Sequence, residues 1–267
     1  MTGSAGQKRV QTGSLASYSL GFPPDAEQQK IASILSTQDK IIDLKERLLE
    51  EKKQQKKYLM QQLLTGKKRL PGFSGEWEEE PLSHYFTNRD ERQTPTEEAP
   101  LMAFISGIGV TDKGERYDRS FLVKGNLKKY KRTELNDFIY SSNNLDVGSI
   151  GLNRYGTAVI SDVYEIFKIK ENAVPYILSE IIQIKKNLHK VLRFRQGAFY
   201  GQYKIYSSDF LSVKISVPPY KEQTAIAEVL STADREIELL EQSIKAEKQK
   251  KKALMQLLLT GIVRVKI

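Results

Sequence analysis

Basic side chains interleaved with aromatic and amide residues carry the clearest chemistry in this 267-residue sequence. Lys and Arg contact phosphate groups, whereas Arg, Asn and Gln can also read the edges of bases. We therefore predict that several such clusters bind a DNA duplex, although ordinary solvated loops can have the same composition. The predicted DNA-binding residues are Lys128, Lys129, Lys131, Arg132, Asn143, Asn144, Arg154, Arg193, Arg195, Gln196, Gln202 and Tyr203.

The charge around these clusters is unevenly distributed. The whole chain has a formal net charge of +9. Residues 76–98 hold eight acidic and two basic residues, whereas residues 99–219 hold 18 basic and 11 acidic ones. A strongly basic segment favours an acidic partner, with nucleic acid first and an anionic membrane second. Residues 99–219 are therefore the part that we expect to face DNA.

Catalytic patterns do not emerge from the sequence. It has no Cys and only two His, His84 and His189, which excludes thiolate nucleophiles and multi-histidine metal sites. No Gly-x-x-x-x-Gly-Lys-Ser/Thr loop is present. Val217-Pro218-Pro219-Tyr220 resembles the Asn-Pro-Pro-Tyr box of adenine methyltransferases, but Val217 cannot hydrogen-bond a target amine. We predict a protein that is not an enzyme and binds no metal or cofactor.

The same composition suggests a cellular location. The first nine residues lack the apolar core of a signal peptide, and no uncharged apolar stretch approaches the length of a membrane helix. We expect a soluble, reduced, cytoplasmic protein.

The elements that must position the basic clusters are marked by an internal repeat with an offset of 195 residues. Between Pro23 and Arg69 the repeat gives 25 identities in 47 positions. Gly6-Gln7 still matches Gly201-Gln202, so the similarity extends upstream. One repeat separated by unrelated sequence indicates two equivalent elements that flank something unique.

Each copy of the repeat predicts a long helix. A proline pair precedes it, apolar residues recur every three or four positions, and Thr-Gly ends it. The span from Glu27 to Leu64 would be about 57 Å long. A helix with one apolar stripe needs a partner along its length. We predict an antiparallel coiled coil of the two copies, within the chain or across a dimer.

The unique middle predicts a mixed domain in an α+β fold. Short β-branched and aromatic runs predict strands at 103–105, 121–123, 138–140, 157–160 and 163–169. A helix is predicted from Pro175 to Val191, and a last strand from Phe210 to Val217. We expect a curved sheet with a helix. The predicted segments are 1–22 (the tail of a preceding domain), 23–66 (the first helix), 67–219 (the mixed domain) and 220–267 (the second helix).

These motifs resemble the specificity (S) subunits of type I restriction–modification systems. The resemblance rests on both proline-led helix starts, Pro23 to Ala32 and Pro218 to Gln223, and both helix ends, Leu59 to Gly66 and Leu254 to Gly261. The opening of the middle domain, Pro71-Gly72-Phe73-Ser74-Gly75-Glu76-Trp77, also matches.

The resemblance implies that the middle is a target-recognition domain and that the helices are spacers. Members of that family normally hold two recognition domains, so this sequence resembles a half-size form. The chain would specify DNA and not catalyse. Methyltransferase (modification) subunits and a restriction subunit would dock on it and bring S-adenosylmethionine, ATP and Mg²⁺.

Two arrangements and two other protein classes stay open at this point. Two copies could form a homodimer that reads an interrupted palindrome, or one chain could pair its own helices as a monomer. A second class is a coiled-coil scaffold, or a regulator that binds modification subunits without reading DNA sequence. A stand-alone methyltransferase would need a motif for S-adenosylmethionine, and the sequence has none.

Overall fold

Two long helices begin directly after proline pairs, as the repeat predicts. They are α1 (Asp25–Leu63) and, last in the chain, α5 (Tyr220–Leu259). Gly66 and Gly261 follow their ends with φ of 69° and 72°, the left-handed conformation that glycine adopts readily after a helix. This computed structural model describes residues 13, 17, 21–112, 128–143, 145, 149–199 and 202–266, without the side chains of 198, 199 and 202.

The chain divides into two units, and both long helices contribute to each. We call residues 1–53 with 235–267 the helical unit, and residues 54–234 the mixed unit. This division cuts through both helices. The four segments predicted from the sequence therefore stay a prediction.

In the helical unit, α1 and α5 lie antiparallel. Lys45 Nζ lies 2.8 Å from a Glu247 oxygen and Lys52 Nζ lies 2.7 Å from a Glu236 oxygen, so the partner's number falls as the α1 number rises. Ile42 is buried at this pairing. The helix pairing, which the sequence left open between one chain and a dimer, therefore forms within the chain.

The mixed unit consists of short antiparallel strands and three short helices. The strands are β1 (Glu78–Pro81), β2 (Phe86–Asn88), β3 (Arg92–Gln93), β4 (Ala103–Ile105), β5 (Gly109–Thr111), β6 (Tyr130–Thr133), β7 (Phe138–Ser141), β8 (Ile150–Leu152), β9 (Ala158–Ile160), β10 (Tyr164–Ile169), β11 (Gln196–Phe199), β12 (Gln202–Lys204) and β13 (Lys214–Val217). The helices are α2 (Pro175–Gln183), α3 (Lys185–Leu192) and α4 (Ser207–Ser212). A 3-10 turn spans Leu82–His84.

These strands form several small sheets and not one curved sheet. A four-stranded sheet has the order β2-β10-β7-β8, and a three-stranded sheet has the order β3-β6-β9. Two-stranded ribbons pair β1 with β13, β4 with β5, and β11 with β12. Strands of two to six residues are too short to build a broad sheet, although the α+β class agrees with the sequence.

An aromatic cluster forms the core of the mixed unit. Phe86, Phe138, Tyr140, Phe167 and Phe210 are almost fully buried. The rings of Tyr140 and Phe210 have centroids 4.8 Å apart, and those of Phe86 and Phe138 are 5.1 Å apart. The same cluster includes residues from the end of α1 and the start of α5. Within the mixed unit, burial of these apolar side chains therefore holds the short strands against the segments of α1 and α5 that belong to the same unit.

Two predicted elements differ in detail. The helix predicted from Pro175 to Val191 is broken at Ile184, whose ψ is 132°. At this break the Ile181 carbonyl oxygen accepts a hydrogen bond from Asn187 Nδ2. The strand predicted from Phe210 to Val217 is shorter. Its first part is α4, which turns Phe210 into the aromatic cluster. The strand predicted at 121–123 lies outside the described residues.

Candidate nucleic-acid interface

The ribbon of β11 and β12, with the end of α3, carries the densest set of predicted DNA-binding residues. Arg193 caps α3 and leads into β11, and Gly197 adopts a φ of 66°. The pairing register shifts between Gln196 and Phe199, as at a β-bulge. Bulges bend a strand and re-aim its side chains. Arg193, Arg195 and Gln196 are exposed on this ribbon.

Aromatic rings support the cations of the ribbon. The Arg195 guanidinium carbon lies 5.6 Å from the centre of the Tyr203 ring, and Lys204 Nζ lies 4.7 Å from the centre of the Tyr206 ring. Tyr203 and Tyr206 are 45% and 44% exposed. Such cation–π contacts hold a long side chain in place while its charged end stays accessible. The ribbon thus combines charge for phosphates with flat rings that bases can contact.

A shallow basic groove of about 390 Å³ borders the ribbon, lined partly by Arg193 and Phe194. Beside it, Lys190 Nζ lies 2.5 Å from a Glu79 oxygen and 2.9 Å from the Lys214 carbonyl oxygen. The hydrogen bond from Lys190 lowers the pKa of Glu79. The negative charge of Glu79 is therefore balanced by Lys190. Lys214 remains exposed in the groove.

Two of the predicted residues are engaged within the protein. Lys131 is 6% exposed, pairs with Glu165 at 3.0 Å and donates to the Tyr164 carbonyl oxygen at 2.9 Å. Arg132 is half-buried and pairs with Glu134 at 2.8 Å. Both lie on β6, where Lys131 links this strand to β10 and Arg132 pairs with a residue just beyond the strand. We therefore leave Lys131 and Arg132 out of the interface proposed below.

The other predicted residues lie at three places. Lys128 and Lys129 are exposed just before β6, with Lys128 Nζ 5.1 Å from the centre of the Tyr130 ring. Asn143 follows Ser142, whose carbonyl oxygen accepts from the Ile205 amide just after β12. This contact brings Asn143 near the ribbon. Asn144 and the Gln202 side chain lie outside the described residues.

Arg154 lies at a separate small cavity of about 190 Å³. Its guanidinium carbon is 5.9 Å from the centre of the Tyr176 ring. Glu180 and Gln183 of α2 line the same cavity. Burial raises the pKa of Glu180, while Lys56 and Arg154 act to lower it. Arg154 is exposed, so a phosphate can also reach it.

Sequence reasoning omitted Lys204, Phe194 and Tyr206 from the predicted residues, although the structure groups them with the ribbon. Phe194 is 37% exposed and lies between Arg193 and Arg195. The alternation of basic and aromatic residues from Arg193 to Arg195 and from Tyr203 to Tyr206 was the available signal. Only the pairing of the two segments shows that they form one surface.

Other site types find no support in the described part of the chain. Among those residues, no three His, Asp or Glu side chains gather closely enough to hold a metal ion. None of the described helices combines the length and apolar character needed to cross a membrane.

A comparison with protein-family models agrees with the fold. The model of the family described as "Type I restriction modification DNA specificity domain" matches residues 1–54 and 94–248. The chain therefore belongs to this family, as the repeated helix motifs suggest.

Two relatives from Methanocaldococcus jannaschii are similar along most of the chain. One is named as the MjaX specificity subunit of a type I restriction enzyme and is 26% identical over 275 residues, covering 97% of this chain and 63% of its own length. The type I restriction enzyme MjaVIII specificity subunit is also 26% identical, covering 92% of this chain and 62% of its own length. The chain thus spans somewhat less than two thirds of these relatives.

Solved structures show the same fold. The HsdS subunit from Thermoanaerobacter tengcongensis gives a TM-score of 0.54 at 14% identity, over 98% of this chain and 65% of that one. The S subunit of a type I restriction–modification system from M. genitalium gives 0.51 at 14% identity, over 88% of this chain and 61% of that one. At this level of identity the likeness is one of fold.

Proposed function

We propose that this chain is a DNA specificity subunit of a type I restriction–modification complex, in which the mixed unit is a target-recognition domain that binds one half-site. The observation that carries this proposal is the exposed ribbon of Arg193, Arg195, Tyr203 and Lys204, in a member of a family of DNA specificity domains. The chain itself recognises DNA and does not catalyse. This role places it in the cytoplasm.

The proposed interface divides into phosphate contacts and base contacts. Lys128, Lys129, Arg154 and Arg193 are exposed cations suited to phosphates. Gln196 Nε2 donates to an Asp209 carboxylate oxygen at 2.8 Å, which fixes the orientation of its amide. A fixed amide distinguishes bases better than a rotating one, because the positions of its donor and acceptor are set before binding. Gln196, Arg195, Tyr203 and Asn143 are therefore the proposed base readers.

The helical unit is the proposed platform for partner subunits. Its surface alternates acidic and basic groups, such as Lys248 with Glu46 at 2.7 Å and Lys53 with Glu241 at 2.9 Å. Mixed charge suits a protein surface better than a continuous phosphate track. We propose that modification subunits with S-adenosylmethionine, and a restriction subunit with ATP and Mg²⁺, dock there. We also propose that two copies associate on an interrupted palindrome.

Duplex binding tests the recognition role directly. Replacing Arg193 by Ala should weaken binding to all duplexes and lower the slope of log affinity against log salt by about 1, because one phosphate contact is lost. Replacing Gln196 by Ala should instead reduce the preference for the target sequence. Fluorescence anisotropy at several salt concentrations measures both effects.

The matched control is Lys40→Ala, which removes an exposed positive charge from the helical unit. It should leave both the salt slope and the sequence preference unchanged.

The target sequence comes from mapping DNA methylation in cells that express the chain with its modification subunit. A new methylated motif is the expected result, whereas its absence contradicts the specificity role. Duplex binding without any sequence preference would favour the scaffold or regulator instead.

A further inference from the structure

Two glycine-containing segments of the mixed unit meet at the small cavity beside Arg154. Residues 107–109 form the turn between β4 and β5, and residues 150–152 form β8. Both segments line this cavity of about 190 Å³, together with Arg154, Ser179, Glu180 and Gln183. We call it the Glu180 cavity. All of its lining residues belong to the mixed unit.

The glycines give the Glu180 cavity a wall of backbone. Gly107 and Gly109 have φ of 74° and 96°, the left-handed conformation that glycine adopts readily. A Cβ atom on Gly109 would lie 2.8 Å from the Leu152 carbonyl oxygen, so glycine allows the turn to approach β8 closely. Because no side chain projects from Gly107, Gly109 or Gly151, a flat ring can lie against this wall.

On the α2 side, the cavity holds a carboxylate that lacks a partner. Within the described residues, the Glu180 side chain forms no hydrogen bond and no ion pair. Burial raises the pKa of Glu180, while the charges of Lys56 and Arg154 act to lower it. A carboxylate that is partly removed from water gains free energy from a ligand that donates hydrogen bonds to it.

The other polar groups of the cavity are held in place by the protein. Gln183 Nε2 donates to the Ser179 carbonyl oxygen and to Ser179 Oγ, each at 3.1 Å, which orients its amide. The Arg154 guanidinium carbon lies 5.9 Å from the centre of the Tyr176 ring. Arg154 is exposed, whereas Glu180 and Gln183 are half-buried. The cavity thus combines half-buried acceptors with an exposed cation.

We propose that the Glu180 cavity binds a guanine base, whose N1 and N2 groups donate to the Glu180 carboxylate, while Arg154 contacts the phosphate of the same nucleotide. A carboxylate presents two acceptor oxygens side by side. Guanine has two adjacent donor groups on one edge, whereas each donor of adenine, cytosine and thymine is flanked by acceptors. Guanine is therefore the base that matches Glu180.

The size of the cavity also limits the occupant. Its volume of about 190 Å³ suits one ring system and not a base pair. In a paired duplex, N1 and N2 of guanine are already bonded to cytosine. The guanine must therefore come from a free nucleotide or from an unpaired nucleotide of DNA. The cavity is separate from the ribbon of β11 and β12, so the proposal does not depend on whether that ribbon reads duplex DNA.

Titration calorimetry of the full chain with deoxyguanosine monophosphate and deoxyadenosine monophosphate tests the cavity. We expect the guanine nucleotide to bind about tenfold more tightly, as one bidentate contact allows. Glu180→Gln should remove this preference, because the new amide places a donor against a guanine donor. Arg154→Ala should weaken both nucleotides by a similar factor and keep the preference, because it removes only a phosphate contact.

The matched control is Glu171→Gln, which makes the same chemical change at an exposed position of the mixed unit. It should bind both nucleotides like the unsubstituted chain, and circular dichroism establishes that all variants are folded. Arg154→Ala changes an exposed residue, so it tests the phosphate contact even if Glu180→Gln fails to fold. Retention of the guanine preference by a folded Glu180→Gln variant overturns the proposal.

A second assay distinguishes the two sources of guanine. Fluorescein-labelled duplexes carry one unpaired guanine, one unpaired adenine or no unpaired base, and fluorescence anisotropy measures their binding. Tighter binding of the duplex with the unpaired guanine, lost in Glu180→Gln, assigns the site to unpaired DNA. A guanine preference with the mononucleotides alone assigns it to free nucleotides. Equal treatment of guanine and adenine in both assays overturns the proposal.

Discussion

At the scale of single residues, the same chemical type serves different purposes according to burial. Lys131 and Arg193 are both basic residues beside aromatic ones in the sequence. The Lys131 ammonium is enclosed with Glu165 inside the mixed unit, whereas Arg193 is exposed at the end of α3. The sequence pattern is equivalent, but the energetic consequences of losing each charge are not.

Replacing Lys131 by Met should lower the free energy of unfolding by about 3 kcal/mol, because it leaves Glu165 largely buried without its partner. Replacing Arg193 by Ala should change it by less than about 0.5 kcal/mol, as is usual for exposed residues. Urea unfolding followed by circular dichroism measures both. If the two variants lose equal stability, Lys131 does not have the structural role assigned to it.

The buried carboxylate of Glu27 gives a prediction for pH. Hydrogen bonds from Arg264 hold the pKa of Glu27 below its ordinary value of 4.5. A group whose pKa is lowered by folding stabilises the protein above its unfolded pKa, and this contribution disappears as the pH falls through the folded pKa. The stability of the helical unit should therefore decrease on acidification below about pH 4.5.

Glu27→Gln isolates this contribution. The variant should be less stable than the unsubstituted chain at about pH 6, and the difference should shrink at a pH low enough to protonate Glu27 in the folded chain. Urea unfolding at both pH values measures the difference. A gap that stays constant with pH would mean that the charge of Glu27 does not stabilise the fold.

At the scale of elements, the two long helices show how one sequence pattern is used in two environments. Leu230 of α5 is fully buried within the mixed unit, whereas Leu35 of α1, its counterpart 195 positions earlier, is half-buried beside an apolar groove. Their surroundings differ because α2 covers only one of the two helix ends in the described structure. Equivalent residues of the two helices should therefore contribute differently to the free energy of unfolding.

Leu230→Ala should cost about 3 kcal/mol, as is typical when a buried leucine leaves a cavity, and Leu35→Ala about 1 kcal/mol. Chemical denaturation of the two variants, compared with the unsubstituted chain, provides the measurement. Equal losses would contradict the exposure of the groove at Leu35.

At the scale of the whole molecule, α1 and α5 pair within the chain, so each long helix has a partner without a second copy. The proposed association of two copies therefore does not require the helices to be exchanged between chains. In the presence of duplex DNA with an interrupted palindrome, light scattering should give the mass of two chains, each of 30.5 kDa, plus that of the duplex. A one-chain mass with and without DNA would reject the dimer.

The sequence alone was sufficient for the features that depend on periodicity and local stereochemistry. Proline pairs, spaced apolar residues and terminal glycines predicted both long helices and their ends to within a few residues. The repeat also pointed to the family, which the comparison confirms. These features can be predicted from the sequence because the start of a helix, its spaced apolar residues and its end each depend only on residues of that helix.

Only the tertiary structure decided which basic residues are accessible and which helix faces are covered. Lys131 pairs with Glu165, a residue distant in the sequence, whereas Arg193 is exposed to solvent. Likewise, Leu64 and Leu259 occupy the same place in the repeat but differ from 3% to 63% in exposure. Burial depends on what the rest of the chain packs against each residue, and no local pattern contains that information.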